Sequence, residues 1–194
     1  MNVAFFVSGG GSNFRAVLEK KKSGELKINI PLVVSSSETA GANETAKTEN
    51  IDLFIVNKEN GAQLLPYLMS KKIDLIVLAG YLKKIPDEII TSFKDRIINI
   101  HPSLLPSFGG KGMYGENVHR AAIERGVKLS GLTIHLVDEE YDNGRILFQK
   151  AVDVLPDDTP QTLGKRILAE EHNSLWQIIK DFTQKSEATL AKLV

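Results

Sequence analysis

The chain has 194 residues, of which 42% are hydrophobic and 25% are charged, and its formal net charge at pH 7 is zero. This composition is typical of a globular protein long enough for one domain with a sizeable core, and the balanced charge argues against nucleic acid or an anionic membrane as a partner. The chain has no cysteine, which excludes disulfides and thiolate catalysis.

The first residues of the chain predict a strand, a glycine-rich turn and a helix. Val3–Val7 is an apolar run typical of a strand buried on both faces, and Ser8–Asn13 supplies the turn. The glycines match neither G-x-G-x-x-G nor a Gly-Lys-Ser/Thr loop, which disfavours a dinucleotide or a nucleoside triphosphate. The turn instead favours one phosphate monoester held by the backbone of Gly11, Ser12 and Asn13. The alternative is a tight turn in which Ser12 serves only as helix N-cap.

Apolar runs typical of strands then alternate with helical patterns. This alternation predicts βαβ units and a parallel sheet. The segment Gly80–Ile85 leaves the carboxyl end of a predicted strand, where it is able to line a flat, partly apolar ligand. An ordinary connecting loop is the alternative. The predicted strands are Ile30–Val34, Leu53–Val56 and Asp74–Gly80, and the predicted helices cover residues 39–50 and 64–69, with another ending near residue 93.

The most informative stretch follows as the apolar run Ile97–Ile100, which ends before Pro102. Asn99 and His101 are two residues apart, so on a strand they point to the same face. They come at its carboxyl end, where open α/β sheets bind their ligands. A carboxamide can donate to a developing oxyanion, and an imidazole can move a proton near neutral pH. The alternative is a polar pair on an edge strand before a proline-rich turn.

The next segments predict loops, a helix and a hairpin. Ser107–Gly115 is rich in glycine and predicts either a mobile lid or a plain flexible connection. A short helix at residues 117–125, closed by Gly126, precedes an alternating strand over residues 129–137. The acidic loop Asp138–Gly144 then leads to a strand over residues 145–154. An acidic surface loop is ordinarily only solvated, but a carboxylate from this loop that reached His101 would have a chemical role.

A long helix completes the predicted architecture. Thr159 and Pro160 open it as N-cap and first helical residue. Glu171 and His172 fall on or beside its apolar stripe, where an ionisable group needs a partner or a function. A structural pair is the alternative. We expect the tail from Lys185 onward to be loosely attached. Because no apolar run reaches membrane-spanning length and no signal-peptide pattern precedes the first strand, we expect a cytoplasmic protein.

Three motifs give the chain a resemblance to a known family. They are Ser8-Gly-Gly-Gly-Ser-Asn13, Asn99-x-His-Pro-Ser-Leu-Leu-Pro106 and His135-x-Val-x-x-x-x-Asp142-x-Gly144. In this order and spacing they resemble the formyltransferases that use 10-formyltetrahydrofolate, in particular those that formylate glycinamide ribonucleotide in purine synthesis. The resemblance covers nearly the whole chain. It implies a single formyltransferase domain over residues 1–194, built as a doubly wound, Rossmann-like α/β fold. The sheet is mostly parallel, with an antiparallel strand near the C-terminus and a long C-terminal helix.

The resemblance also implies the roles of individual residues. The catalytic residues would be Asn99, His101 and Asp142, and Asp142 would pair with His101 and raise the pKa of the imidazole. The substrate phosphate would bind Gly11, Ser12 and Asn13, and Glu171 would contact the ribonucleotide. The folate would lie against Leu82, Lys83, Lys84, Ile85 and Asn99. Lys83 stands where the family commonly has Arg, and the upstream Arg that often meets the folate glutamate tail has no match.

The expected partners are therefore two small molecules, glycinamide ribonucleotide and the co-substrate 10-formyltetrahydrofolate, with no metal, nucleic acid or membrane. A monomer and a homodimer both remain open. Two rivals within the family are methionyl-tRNA formyltransferase, which needs a basic C-terminal domain, and formyltetrahydrofolate deformylase, which has an extra N-terminal domain. We expect neither extension here. A non-catalytic nucleotide-binding module is the alternative outside the family, but it gives no reason to bring Asn99, His101 and Asp142 together.

Overall fold

The computed structural model describes residues 1–184, and the tail from Lys185 onward lies outside the described residues. Within residues 1–184 every predicted strand and helix is present, with ends that differ by a few residues. The strands are β1 (Asn2–Val7), β2 (Asn29–Ser35), β3 (Asp52–Ile55), β4 (Leu75–Leu78), β5 (Ile97–His101), β6 (Leu129–Leu136) and β7 (Ile146–Asp153). The helices are α1 (Ser12–Lys22), α2 (Gly41–Thr48), α3 (Leu64–Ser70), α4 (Asp87–Ser92), α5 (Glu116–Arg125) and α6 (Pro160–Gln184).

The strands form one sheet in the order β3-β2-β1-β4-β5-β6-β7. The pairs β1–β2, β1–β4 and β2–β3 are parallel, and β6 pairs with β7 in the antiparallel direction. This arrangement confirms the predicted mostly parallel α/β sheet with an antiparallel part near the C-terminus and a long final helix. The chain forms two compact units, residues 1–98 and a second that begins at Asn99. A single formyltransferase domain over residues 1–194 stays a prediction.

The first unit is built around β1, whose residues Val3–Val7 are completely buried. An uninterrupted apolar strand is what a central position with both faces covered requires. The ring of Phe5 lies 5.2 Å from the ring of Phe14 on α1, measured between centroids. Strand β2 pairs with one edge of β1 and β4 pairs with the other. The strand order therefore reverses at β1, with β2 and β3 on one side and β4 to β7 on the other. Such a switch point leaves a crevice at the carboxyl ends of the strands, where α/β proteins bind ligands.

The second unit has β6 as its most buried strand. The sequence predicts that Leu132, Ile134 and Leu136 share one face and that Thr133, His135 and Val137 share the other. The first face is buried, and so are Thr133 and His135 of the second, whereas Val137 is half-buried. Thr133 satisfies its hydroxyl by donating to the Ser103 carbonyl at 2.6 Å and accepting from the Leu105 N–H at 3.0 Å. The polar face of β6 is therefore covered by the segment that follows β5.

Helix α6 begins as the sequence predicts. The Thr159 hydroxyl accepts a hydrogen bond from the Thr162 N–H at 3.2 Å, which is the expected N-cap contact. Its buried residues include Leu163, Ile167, Leu175 and Ile179, at the spacing of one helical face. Among the helices within residues 1–184, none combines the length and apolar character needed to span a bilayer.

Candidate active site

The carboxyl end of β5 presents two polar side chains to one place. Asn99 is half-buried and His101 is only 4% exposed. The other residues of this strand are apolar and buried. Their two-residue spacing puts both side chains on the same face of the strand. An ionisable ring so far from water needs specific partners, and these come from two loops of the second unit.

One partner is Asp142, in the acidic loop between β6 and β7. Asp142 has a left-handed backbone (φ 55), which Asp adopts more readily than most residues. A Cβ at Gly144 would collide with the Leu136 carbonyl, so the return of this loop requires glycine. The Asp142 Oδ1 accepts from the Asn99 Nδ2 at 3.3 Å, and its Oδ2 lies 3.6 Å from the His101 Nδ1. The structure thus brings the three predicted catalytic side chains together.

The hydrogen bonds of His101 define which nitrogen carries the hydrogen. Its Nε2 lies 2.8 Å from the Phe108 carbonyl oxygen. Because a carbonyl can only accept, Nε2 must donate. In a neutral ring Nδ1 then has a lone pair, and it is this atom that faces Asp142. A proton taken up by Nδ1 would be placed directly against a carboxylate.

The pKa of His101 corrects one expectation. The sequence predicts that Asp142 raises the pKa of the His101 imidazole, but burial lowers that pKa from its ordinary value of 6.5 and outweighs the opposing effect of Asp142. Burial also acts to raise the pKa of the Asp142 carboxyl, yet that pKa lies below its ordinary value of 3.8, because the carboxylate is stabilised by the charge that His135 or His101 gains on protonation and by the hydrogen bond from the Gly110 N–H. At neutral pH the site therefore holds a neutral imidazole beside an ionised carboxylate.

His135 also belongs to the site, although the sequence analysis assigned no role to this residue. It lies on β6, is 2% exposed, and its Nδ1 donates to the Leu136 carbonyl at 2.7 Å. With the hydrogen on Nδ1, the Nε2 of a neutral ring accepts from the Asn99 Nδ2 at 3.1 Å. Both hydrogens of the Asn99 amide are therefore directed at acceptors, one on His135 and one on Asp142. The available signal was the position of His135 within the third motif.

The segment after β5 contributes backbone groups rather than side chains. The Phe108 carbonyl accepts from His101, and the Gly110 N–H donates to the Asp142 Oδ2 at 2.9 Å. Phe108 has a left-handed backbone (φ 55), and its carbonyl faces His101. No side-chain pattern marks such groups, so the sequence could not identify them. The mobility of the predicted lid over residues 107–115 stays a prediction.

The predicted phosphate loop lies in the first unit, between β1 and α1. Helix α1 begins at Ser12, and its N-cap residue is Gly11, with no capping bond from a side chain. The alternative in which the Ser12 hydroxyl caps the helix is therefore wrong. Gly11 has φ 71, and a Cβ at this position would lie 2.6 Å from the Ala42 Cβ. Gly11, Ser12 and Asn13 are thus the N-cap and the first two residues of α1. The N–H groups at the start of a helix are not used by the hydrogen bonds of the helix itself.

The predicted folate segment also lies in the first unit, after β4. Leu82 is 53% exposed, whereas Ile85 is 4% exposed and belongs to the core. The Lys83 Nζ donates to the Val56 carbonyl at 3.2 Å, and the Lys84 Nζ pairs with Asp87 at 3.1 Å. Leu82 is therefore the exposed one of the two aliphatic residues in this segment.

Glu171 lies on the buried face of α6 and is 6% exposed, as its position in the apolar stripe predicts. Its contact with the ribonucleotide stays a prediction. Among residues 1–184, no group of three His, Asp or Glu side chains has the geometry to hold a metal ion.

Comparison with known proteins agrees with the motifs. The profile of the family described as formyl transferase matches residues 1–179. A chloroplastic phosphoribosylglycinamide formyltransferase of Arabidopsis thaliana is 44% identical over 185 residues, which are 91% of this chain and 63% of the relative. The Bacillus subtilis phosphoribosylglycinamide formyltransferase is 36% identical over 91% of this chain and 92% of its own length.

A solved structure agrees as well. The crystal structure of glycinamide ribonucleotide transformylase 1 from Symbiobacterium toebii has a TM-score of 0.88 and 35% sequence identity, covering 95% of this chain and 88% of the other. The chain spans only 59–63% of the length of three plant relatives. From the family match over residues 1–179, this chain belongs to the formyl transferase family.

Proposed function

We propose that this protein transfers the formyl group of 10-formyltetrahydrofolate to the primary amine of N1-(5-phosphoribosyl)glycinamide, a step of purine synthesis. The observation that carries the proposal is the convergence of Asn99, His101 and Asp142 at the end of β5. Membership of the family supports a folate co-substrate, and the names of the relatives support the acceptor.

In the proposed reaction the amine nitrogen attacks the formyl carbon of the folate. The carbonyl becomes a tetrahedral oxyanion, and breakage of the bond between that carbon and the folate nitrogen completes the transfer. The attacking nitrogen loses one proton and the leaving nitrogen gains one. The site must therefore stabilise a negative oxygen and carry one proton from nitrogen to nitrogen.

Asn99 is the proposed donor to the oxyanion. Its amide hydrogens are directed at His135 at 3.1 Å and at Asp142 at 3.3 Å. The longer bond to Asp142 is the one that the oxyanion replaces, while the shorter bond to His135 keeps the amide group oriented. An amide held in advance costs little reorganisation at the moment of reaction, which is how such donors accelerate acyl transfer.

His101 is the proposed proton carrier. It begins the reaction neutral, since burial lowers its pKa, and so has a free lone pair on Nδ1. The proton of the attacking amine passes to Nδ1, directly or through water. The imidazolium then lies beside the Asp142 carboxylate, 3.6 Å away, and the same proton passes to the leaving nitrogen. In this scheme Asp142 stabilises the charged ring and stays ionised throughout.

The remaining site residues complete the proposal. The backbone of Gly11, Ser12 and Asn13 binds the phosphate, as a helix N-terminus binds anions. Glu171 contacts the ribonucleotide. The segment Leu82–Ile85 borders the folate, together with Asn99. The cytoplasmic location and the state of monomer or homodimer stay predictions, and the plant relatives are chloroplastic by name.

A hydrolase with a related structure defines the sharpest control. A formyltetrahydrofolate deformylase from Pseudomonas syringae has a TM-score of 0.76 and 26% identity to this chain. The purified protein is incubated with 10-formyltetrahydrofolate in the presence and absence of glycinamide ribonucleotide, and mass spectrometry follows the products. We expect formylated ribonucleotide and one tetrahydrofolate for each formyl group transferred. Loss of the formyl group at the same rate without the ribonucleotide would instead establish a hydrolase.

A further inference from the structure

The ladder between β1 and β4 changes its pattern at Ser8. The two strands are in parallel register, with Phe6 beside Leu78, and the Ala79 N–H donates to the Phe6 carbonyl at 2.9 Å. A regular parallel ladder would next join the Ser8 N–H to the Ala79 carbonyl. The Ser8 N–H instead donates to the Gly80 carbonyl at 3.1 Å. The register has moved by one residue, at a glycine with φ 74.

After this shift, the next hydrogen bond between the two segments is accepted by the Ser8 side chain and not by a backbone carbonyl. The Leu82 N–H donates to the Ser8 Oγ at 2.8 Å. Ser8 thus bonds to both ends of the turn Gly80–Leu82, with its backbone N–H at one end and its hydroxyl oxygen at the other. A second hydroxyl, that of Ser36, donates to the same oxygen at 2.6 Å. The Ser8 Oγ is therefore held from two sides.

The position of the hydrogen bonds between Ser8 and the turn Gly80–Leu82 indicates their function. Ser8 follows β1 directly and opens the proposed phosphate loop, and Leu82 opens the proposed folate segment. Both lie at the carboxyl ends of neighbouring parallel strands, at the switch point of the sheet. We propose that Ser8 is a positioning residue for the folate, whose hydroxyl fixes the turn Gly80–Leu82 in the conformation that receives the co-substrate. This inference rests on the proposed function, since that function places the folate at residues 82–85.

The direct test is amide hydrogen exchange at Leu82, measured by NMR in the wild type and in Ser8→Ala. We expect the Leu82 amide to exchange at least about ten times faster in the variant, since its acceptor is gone. The Ala79 amide, bonded to the backbone of Phe6, keeps its rate. Ser36→Ala is the matched control, because it removes the other partner of the Ser8 Oγ and leaves the Leu82 bond. An unchanged Leu82 rate in Ser8→Ala would overturn the inference.

The functional test measures the Kd for 10-formyltetrahydrofolate by titration calorimetry, and kcat separately. Loss of one hydrogen bond predicts a Kd about 5- to 10-fold higher in Ser8→Ala, with kcat within about twofold of wild type and recovery in Ser8→Thr. A merely structural role would lower the melting temperature without this selective effect. An unchanged Kd, or no recovery in Ser8→Thr, would overturn the inference.

The variant Leu82→Ala tests separately whether the folate binds at residues 82–85, on which the role of Ser8 depends. If Leu82→Ala raises the folate Kd and Ser8→Ala does not, the segment binds folate and only the role of Ser8 is wrong. If Leu82→Ala leaves the Kd unchanged, the folate does not lie at this segment and the inference falls with that assignment. A wild type that binds the folate but does not formylate the ribonucleotide contradicts the proposed acceptor, while the Kd values still decide the role of Ser8.

Discussion

The Asn99 carboxamide donates from Nδ2 to the His135 Nε2 at 3.1 Å, and the His135 Nδ1 on the far side of the ring donates to a backbone carbonyl at 2.7 Å. The carbonyl fixes the hydrogen on Nδ1, which leaves Nε2 as an acceptor. The acceptor in turn fixes which end of the Asn99 side chain is nitrogen. A buried ring thus orients the amide that we propose as the oxyanion donor.

This relationship predicts that His135→Phe reduces kcat. Phe fills the space but has no acceptor, so the Asn99 amide loses its shorter hydrogen bond and the orientation that it provides. Losing the partner of a buried donor costs about 1–3 kcal/mol, which corresponds to a kcat about 5- to 150-fold lower. Steady-state kinetics on purified protein measures this effect. His135→Gln, which restores an oxygen acceptor, is expected to recover part of the rate. Equal kcat values for His135→Phe and wild type would show that the amide needs no such support.

The lowered pKa of His101 predicts how stability depends on pH. The unfolded chain binds a proton near pH 6.5, whereas folded His101 binds it only at lower pH, and burial likewise lowers the pKa of His119. Below pH 6.5 the unfolded state thus holds more protons, and the free energy of unfolding falls as the pH decreases through that window. Each histidine contributes a slope of at most about 1.4 kcal/mol per pH unit.

Urea denaturation between pH 7 and pH 5 measures this slope. We expect a smaller slope in His101→Gln and in His119→Gln, whatever the absolute stability of either variant. A slope that His101→Gln leaves unchanged would show that the folded imidazole titrates as in the unfolded chain.

Gly11 gives a prediction with a close control in the same turn. Gly11→Ala places a side chain at φ 71 and brings its Cβ to 2.6 Å from the Ala42 Cβ. The left-handed conformation alone costs about 1–2 kcal/mol, and the collision adds to it. Gly10→Ala has open space around the new Cβ and no positive φ. Thermal denaturation should show a lower melting temperature for Gly11→Ala and little change for Gly10→Ala. Similar shifts for the two variants would mean that the backbone at Gly11 adapts freely.

Much of the fold could be predicted because hydrophobic patterns report burial. The uninterrupted apolar run at residues 3–7 requires a strand covered on both faces, and β1 is such a strand. Alternation along β6 correctly separated its two faces but could not tell what covers each one. The face with Thr133 and His135 is buried because residues 103–105 pack and hydrogen-bond against it. Because that contact joins residues about 30 positions apart in the sequence, the local pattern could not predict it.

The proximity of the three motif side chains could be predicted, because the motifs specify side chains. The three motifs identified Asn99, His101 and Asp142, and the structure places the Asp142 carboxylate 3.3 Å from the Asn99 Nδ2 and 3.6 Å from the His101 Nδ1. The Phe108 carbonyl and the Gly110 N–H were missed because every residue has such groups. The pKa of His101 was predicted in the wrong direction because the sequence revealed the nearby carboxylate but not the extent of burial.

The proposed formyl transfer is tested by the rate at which wild type, His101→Ala and Asp142→Ala produce formylated glycinamide ribonucleotide, with both substrates saturating. Circular dichroism verifies that each variant is folded. We predict product from the wild type and rates lower by about 10²–10⁴ in both variants, the usual effect of losing general acid–base catalysis. A wild type that makes no formylated ribonucleotide would contradict the proposed transfer, and folded variants that make it at the wild-type rate would contradict the roles of His101 and Asp142.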